Sequence, residues 1–209
     1  MRRTVVLLTT MALTLLVASG VALAVNKIGT DGPDTLRGTD GADNLLGKGG
    51  NDILFSLAGT DNLLGGPGKD VLWAGRFCCD FRGYSGGDKN LVGGPGIDNI
   101  HGGKGSDNIM GGRGNDFLFS GPEERVKPDK ISAGAGNDAV WVLDDTPAGK
   151  DYLSCGSGFD WVLADRLDVI APDCERVFFG ERNIATFYAS PPESFWDAQP
   201  VPPCVTCRR

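Results

Sequence analysis

The chain has 209 residues and a formal net charge of −7, with 20 Lys and Arg against 27 Asp and Glu. That acidic excess makes nucleic acid and anionic membrane surfaces poor partners and multivalent cations good ones. Its 32 glycines and 12 prolines would ordinarily point to disorder, but the glycines recur at a fixed step and are therefore positional.

Residues 1–24 are expected to form an export signal. Arg2 and Arg3 supply the charged start, Val5 to Val17 the apolar stretch, and Ala22-Leu23-Ala24 a small-x-small cleavage site. The mature chain is then expected to begin at Val25, with no membrane span left after signal removal. The 6 cysteines are compatible with disulfides in an exported chain. Cys155 and Cys174 bracket the last repeats and are the favoured pair. Cys204 and Cys207 form a C-x-x-C in a proline-rich tail, read as a local bridge or free thiols. Cys78 and Cys79 are neighbours, and a bond between them would be strained.

From residue 29 the chain is written in nine-residue lines. Asp34, Asp43, Asp52, Asp61 and Asp70 share one step, and Asp98, Asp107 and Asp116 resume it. An aliphatic follows two places after each (Leu36, Leu45, Leu54, Leu63, Leu72, Ile100, Ile109, Leu118), and a glycine stands two places before. Glycine turns the chain without a Cβ clash. The triplet around each aliphatic is too short for a helix and suits a strand whose middle side chain faces inward. Two turns and two strands make a coil, and coils stack about 4.8 Å apart. Asp34, Asp52 and Asp70 then lie over one another, as do Asp43 and Asp61. Such columns of like charge oppose folding unless a cation lies between them.

Lines such as Gly65-Gly66-Pro67-Gly68-Lys69-Asp70-Val71-Leu72-Trp73 and Gly102-Gly103-Lys104-Gly105-Ser106-Asp107-Asn108-Ile109-Met110 resemble the haemolysin-type (RTX) calcium-binding nonapeptide, G-G-x-G-x-D-x-U-x. The resemblance implies an all-β, parallel β-roll (a β-solenoid) of nine-residue repeats, two per coil, with inserted loops and a C-terminal cap. It also implies one Ca²⁺ between successive turns on the same edge. The ligand set then comprises Asp34, Asp43, Asp52, Asp61, Asp70, Asp98, Asp107, Asp116 and Asp138. Main-chain oxygens come from Gly65, Gly66, Gly93, Gly94, Gly102, Gly103, Gly111 and Gly112, hard donors of the kind Ca²⁺ takes six to eight at a time. Asp98, Asp107 and Asp116 head the set. The cleavable leader departs from the C-terminal secretion signal of many members, so no toxin or one-step secretion role is carried over.

The roll is expected over residues 25–175, with clean repeats at 29–73 and 93–119 and degenerate ones at 120–175. Thr30 and Thr39 replace the second glycine of their lines. Ser56 and Leu57 replace both glycines of theirs, which predicts weaker coordination there. Residues 74–83 read as an inserted loop. Lys89 then stands where Asp is expected; its ammonium cannot ligate, but can substitute for an ion among the carboxylates, and the adjacent Asp88 leaves that line open. Beyond residue 120 the pairs Asp129/Ile131, Asp138/Val140, Asp151/Leu153, Asp160/Val162 and Asp168/Ile170 alternate long and short spacings, which predicts longer turns on one edge only. From Arg176 the repeat is read as ended. Residues 176–209 are taken as a cap, with Val177-Phe178-Phe179 and Ile184 to Tyr188 as capping strands, and a proline-rich tail.

Ile53, Phe55, Val71, Trp73, Phe117, Phe119 and Trp141 fall beside the buried position. Coverage by the C-terminal segment or the inserted loops is preferred to a sticky exterior stripe. His101, the single histidine, is read as solvated. No H-E-x-x-H, nucleophile elbow, phosphate loop or EF-hand occurs, so a non-enzyme is expected. The function expected is an exported, extracellular calcium-binding roll. The alternative is a cell-envelope adhesin or carbohydrate-binding module, using the roll as scaffold toward a cell-surface or polysaccharide partner. A third reading is an accessory to a carbohydrate-active enzyme.

Overall fold

A computed structural model of the chain describes residues 24–75, 89–121, 128–142 and 149–180. The expected signal apart from Ala24, Cys78, Cys79, Asp88, the strand at Ile184 to Tyr188, and Cys204 with Cys207 lie outside the described residues. The strands follow in chain order: β1 (Asn26–Ile28), β2 (Thr35–Arg37), β3 (Asn44–Leu46), β4 (Ile53–Phe55), β5 (Asn62–Leu64) and β6 (Val71–Trp73). Next come β7 (Asn90–Pro95), β8 (Asn99–His101), β9 (Asn108–Arg113), β10 (Phe117–Phe119) and β11 (Lys130–Ala135). The last are β12 (Ala139–Val142), β13 (Tyr152–Ser157), β14 (Trp161–Ala164), β15 (Val169–Ile170) and β16 (Arg176–Phe179).

Odd-numbered strands form one 8-stranded parallel sheet and even-numbered strands a second, each in consecutive order. The chain therefore winds as a solenoid, crossing from sheet to sheet at every turn. Register follows the repeat: Leu36 lies on Leu54, Leu54 on Leu72, and Leu72 on Ile100. The aliphatics from Leu45 to Leu118 are each at most 2 % exposed and form the single file of the core between the sheets. Each buried aliphatic contributes roughly 1.5–3 kcal/mol, a thin core for a chain of this length. Ile100→Ala should cost about 2–5 kcal/mol in a urea melt of the calcium-loaded protein, because the stacked coils cannot collapse onto the cavity.

All the lengthened turns lie where the chain passes from the even sheet to the odd one: after β6, β10 and β12. The opposite edge has none, as the alternating spacings predict. There β7, β9, β11 and β13 run on through the turn, with Gly94, Gly112, Gly134 and Gly156 paired in register. The glycine at the fourth place of a line also sits directly over its counterpart one coil before, as Gly68 does over Gly50 and Gly114 over Gly96. Gly96, at φ 154°, is so close that a Cβ would run into the Gly68 carbonyl oxygen.

The ends are closed differently. At the first coil, the described residues supply β1, with the Val25 N–H before it donating to Asp43 Oδ1 at 2.7 Å. At the last, the expected Cys155–Cys174 disulfide is present, with Cα atoms 5.1 Å apart. Asp173 accepts from Ser154 Oγ at 2.9 Å and from the Gly156 N–H at 3.0 Å. The Arg176 guanidinium lies 4.3 Å over the Trp161 ring. The expected capping strand over Val177-Phe178-Phe179 is present as β16, which pairs in register with β14 at the end of its sheet; Glu175-Arg176-Val177 leading into it is itself an acid-x-aliphatic triplet.

The outer faces carry ladders. On the odd sheet, Asn44, Asn62 and Asn90 each donate from Nδ2 to the Oδ1 of the Asn one coil before, at 2.6–2.8 Å. On the even sheet, Phe55, Trp73, His101, Phe119 and Trp141 are successive rungs. The reading of His101 as a solvated side chain is corrected here. Its ring stacks on Trp73 with centroids 4.0 Å apart and meets the edge of Phe119 at 5.7 Å. Burial in that sandwich pushes its pKa down to about 4.

Candidate metal centre

The nine-residue step sends successive aspartates to opposite edges. Asp34, Asp52, Asp70, Asp98, Asp116, Asp138 and Asp160 stack on the uninterrupted edge; Asp43, Asp61, Asp107, Asp129, Asp151 and Asp168 stack on the edge with the long turns. Asp98, Asp107 and Asp116 therefore do not make one file: Asp107 faces away from the other two.

On the uninterrupted edge each carboxylate is fastened by one oxygen. Oδ1 of Asp52, Asp70, Asp98, Asp116, Asp138 and Asp160 accepts the backbone N–H of the aspartate one coil before, at 2.8–2.9 Å. The chain of bonds ends where the Asp160 N–H donates to Glu175 Oε2 at 3.0 Å. The second oxygen of these six carboxylates, Oδ2, is buried and accepts no hydrogen bond. Leaving a buried charged acceptor unsatisfied is costly, so the repetition of this arrangement requires a compensating group.

The surroundings of Oδ2 identify that group's chemistry. A Cβ at Gly47 would strike Asp52 Oδ2 and would also crowd the Gly65 carbonyl oxygen of the next coil. Gly93 has the same relation to Asp98 Oδ2 and Gly111 O, and Gly111 to Asp116 Oδ2 and Ala133 O. The first glycine of each line thus keeps open a cradle that brings together a carboxylate oxygen and a main-chain carbonyl. Among the described residues, no three acidic, imidazole or thiolate side chains converge as a cluster. Any ion must take much of its shell from carbonyls, as a hard cation such as Ca²⁺ does. The residues present fit such an ion. At the equivalent place before Asp138 and Asp160 stand Ala133 and Cys155, whose Cβ atoms narrow the cradle.

Electrostatics follow the burial. Removal from water, then the charge of the preceding aspartate, pushes the Asp70 carboxyl up to about 6, with the N–H bond pulling the other way. The same causes raise Asp98, Asp116 and Asp138 to about 7. Desolvation also raises Asp61 and Asp160.

Two of the expected ligands differ from the rest. Asp34 Oδ2 accepts from the Thr30 N–H at 2.5 Å and Thr30 Oγ1 at 2.9 Å, which lowers its pKa. Asp43 is gripped in the same way by the Thr39 amide and hydroxyl. Threonine donors therefore already occupy the oxygen that elsewhere has none. The turn with Ser56 and Leu57 keeps its carboxylate: Asp61 is buried, as is Ser56, and Leu57 holds φ 77°, as Lys48 holds 83° at the same place one line earlier, where Gly66, Gly94 and Gly112 stand in later lines.

Asp129, Asp151 and Asp160 were outside the sequence-derived ligand set, yet all are fully buried in the two columns. Asp129 Oδ1 accepts the Asp107 N–H at 2.7 Å, and Asp151 Oδ1 accepts that of Asp129 at 2.8 Å. Their signal was the acid-x-aliphatic triplet, which survives where the paired glycines do not. A family model described as the RTX calcium-binding nonapeptide repeat matches in four copies, over residues 28–63, 55–76, 84–122 and 127–145, together just over half of the chain. No curated protein matches the chain.

Proposed function

Because the chain belongs to the RTX calcium-binding nonapeptide-repeat family, we propose that it is an exported protein whose roll is held together by Ca²⁺ seated between stacked Gly/Asp turns. The observation that carries this is the file of six buried Oδ2 atoms, from Asp52 to Asp160, that accept no hydrogen bond. The ligands assigned are these carboxylates with the carbonyls of the first glycines. Asp34 and Asp43 are assigned a lesser part because Thr30 and Thr39 already satisfy them. Export is supported by the leader-like residues 1–24 and by the Cys155–Cys174 disulfide, a bond typical of oxidising compartments.

The role assigned is binding, without a reaction of its own. Its one histidine is packed between aromatic rings, with Trp73 on one side and Phe119 on the other. The alternative of a polysaccharide-binding face is less favoured by the same rings. Trp73 and His101 turn their faces to each other at 4.0 Å, whereas sugar binding by stacking needs a free aromatic face.

Calorimetric calcium titration of the purified chain tests the proposal, and Asp116→Ala is the informative variant. It should lower affinity at the sites bordering it by at least about a hundredfold, the upper end of the loss that changes outside the ligand shell cause. Calcium binding that is absent in the native chain, or indifferent to Asp116, overturns the assignment.

A further inference from the structure

The column on the edge with long turns contains a residue that does not belong to the pattern. Lys89 stands at the sixth place of its line, between Asp61 one coil before and Asp107 one coil after, as the pairing of Asn62 with Asn90 and of Asn90 with Asn108 fixes. It is 1 % exposed and is the largest fully buried side chain of the described residues. Its backbone N–H donates to Asp107 Oδ1 at 3.0 Å, as an aspartate's would. Its charge acts on Asp61 in the sense that favours the carboxylate. A lysine is almost never buried to this degree without a compensating charge, and the acidic residues next to it in the column are Asp61 one coil before and Asp107 one coil after.

Building on the calcium reading above, we infer that the Lys89 ammonium is a built-in cation that takes the place of a calcium ion between Asp61 and Asp107. The two edges are then chemically unequal. The uninterrupted edge depends on calcium for every gap between its buried carboxylates. The other edge is joined across its longest insertion, residues 74–88, by a covalently supplied charge that neither chelator nor calcium depletion can remove. That placement has a physical reason: an inserted loop costs closure entropy at this coil, and a tethered cation holds the coil without first having to capture an ion.

Lys89→Asp and Lys89→Met in the full chain test this, with calcium content measured by calorimetry and melting followed by circular dichroism in saturating calcium. Lys89→Asp should bind at least one more ion than the native chain and melt close to it, since restoring the carboxylate opens a gap to Asp61 and another to Asp107. Lys89→Met should bind no additional ion and melt roughly 10 °C lower, because two buried carboxylates lose their partner. An unchanged ion count in Lys89→Asp, or failure of that variant to fold in saturating calcium, overturns the inference; so does a Lys89→Met chain that melts with the native one. Failure of native calcium binding would instead strike the functional reading itself.

Discussion

In excess EGTA at pH 7.5 the chain is expected to lose most of its β-sheet circular dichroism, and to regain it when calcium is added. The core offers one aliphatic per line, and half of the described strands are only three residues long, so cohesion between coils must come largely from the turns. On the uninterrupted edge those turns bury six carboxylates, each with an oxygen that the protein leaves unsatisfied. At neutral pH, ionising them without a counter-ion places like charges in one column, which a low-dielectric setting punishes. Ligand linkage works in the other direction. An ion held at ten times its dissociation constant adds about 1.4 kcal/mol, so five sites add about 7 kcal/mol. That is comparable to the whole stability of an ordinary domain, about 5–15 kcal/mol. Occupancy therefore decides between folded and loose. A spectrum and melting temperature that do not respond to EGTA would show that the carboxylate file is stable without an ion.

The architecture was legible because it is strictly local. Glycine, aspartate and aliphatic registers each constrain one corner or one strand, and stacking repeats the result; Leu54 on Leu72 on Ile100 follows from counting alone. The edge assignment of the long turns was equally readable, since insertion lengths leave the spacing of the opposite edge untouched. What the sequence concealed were relations across coils. That Thr30 and Thr39 would turn hydroxyls and amides onto Asp34 and Asp43 depends on side-chain reach, which a repeat register does not encode. That Asp160 would be as buried as Asp98 was hidden by the loss of the paired glycines around Cys155. His101 was misread because its line alone gives no hint that Trp73 and Phe119, on neighbouring strands of the same sheet, would enclose it. Glu175 was missed because a glutamate ends a file otherwise made of aspartates.

Acidification should stabilise the calcium-free chain and weaken the calcium-bound one. Asp98, Asp116 and Asp138 are raised from 3.8 to about 7 by burial first and by the neighbouring carboxylate second, and Asp70 to about 6. A carboxyl whose folded pKa lies above its unfolded one binds its proton more tightly when folded. Its contribution is therefore fully present below about pH 4 and is lost as pH rises toward 7. His101 opposes this: lowered from 6.5 to about 4, it favours the folded chain above pH 6.5 and ceases to do so as pH falls toward 4. Four carboxyls outweigh one imidazole, so in EGTA the β-sheet circular dichroism that is lost at pH 7.5 should return in large part at pH 5, and a melting transition with it. Calcium requires the ionised carboxylates and competes with the protons that hold them neutral. In saturating calcium the trend should reverse, and titrations near pH 6.5 in buffers of different ionisation enthalpy should detect proton release on binding. A calcium-free chain that stays as loose at pH 5 as at pH 7.5 would mean that these oxygens are solvated, and the compensating ion would lose its reason to be there.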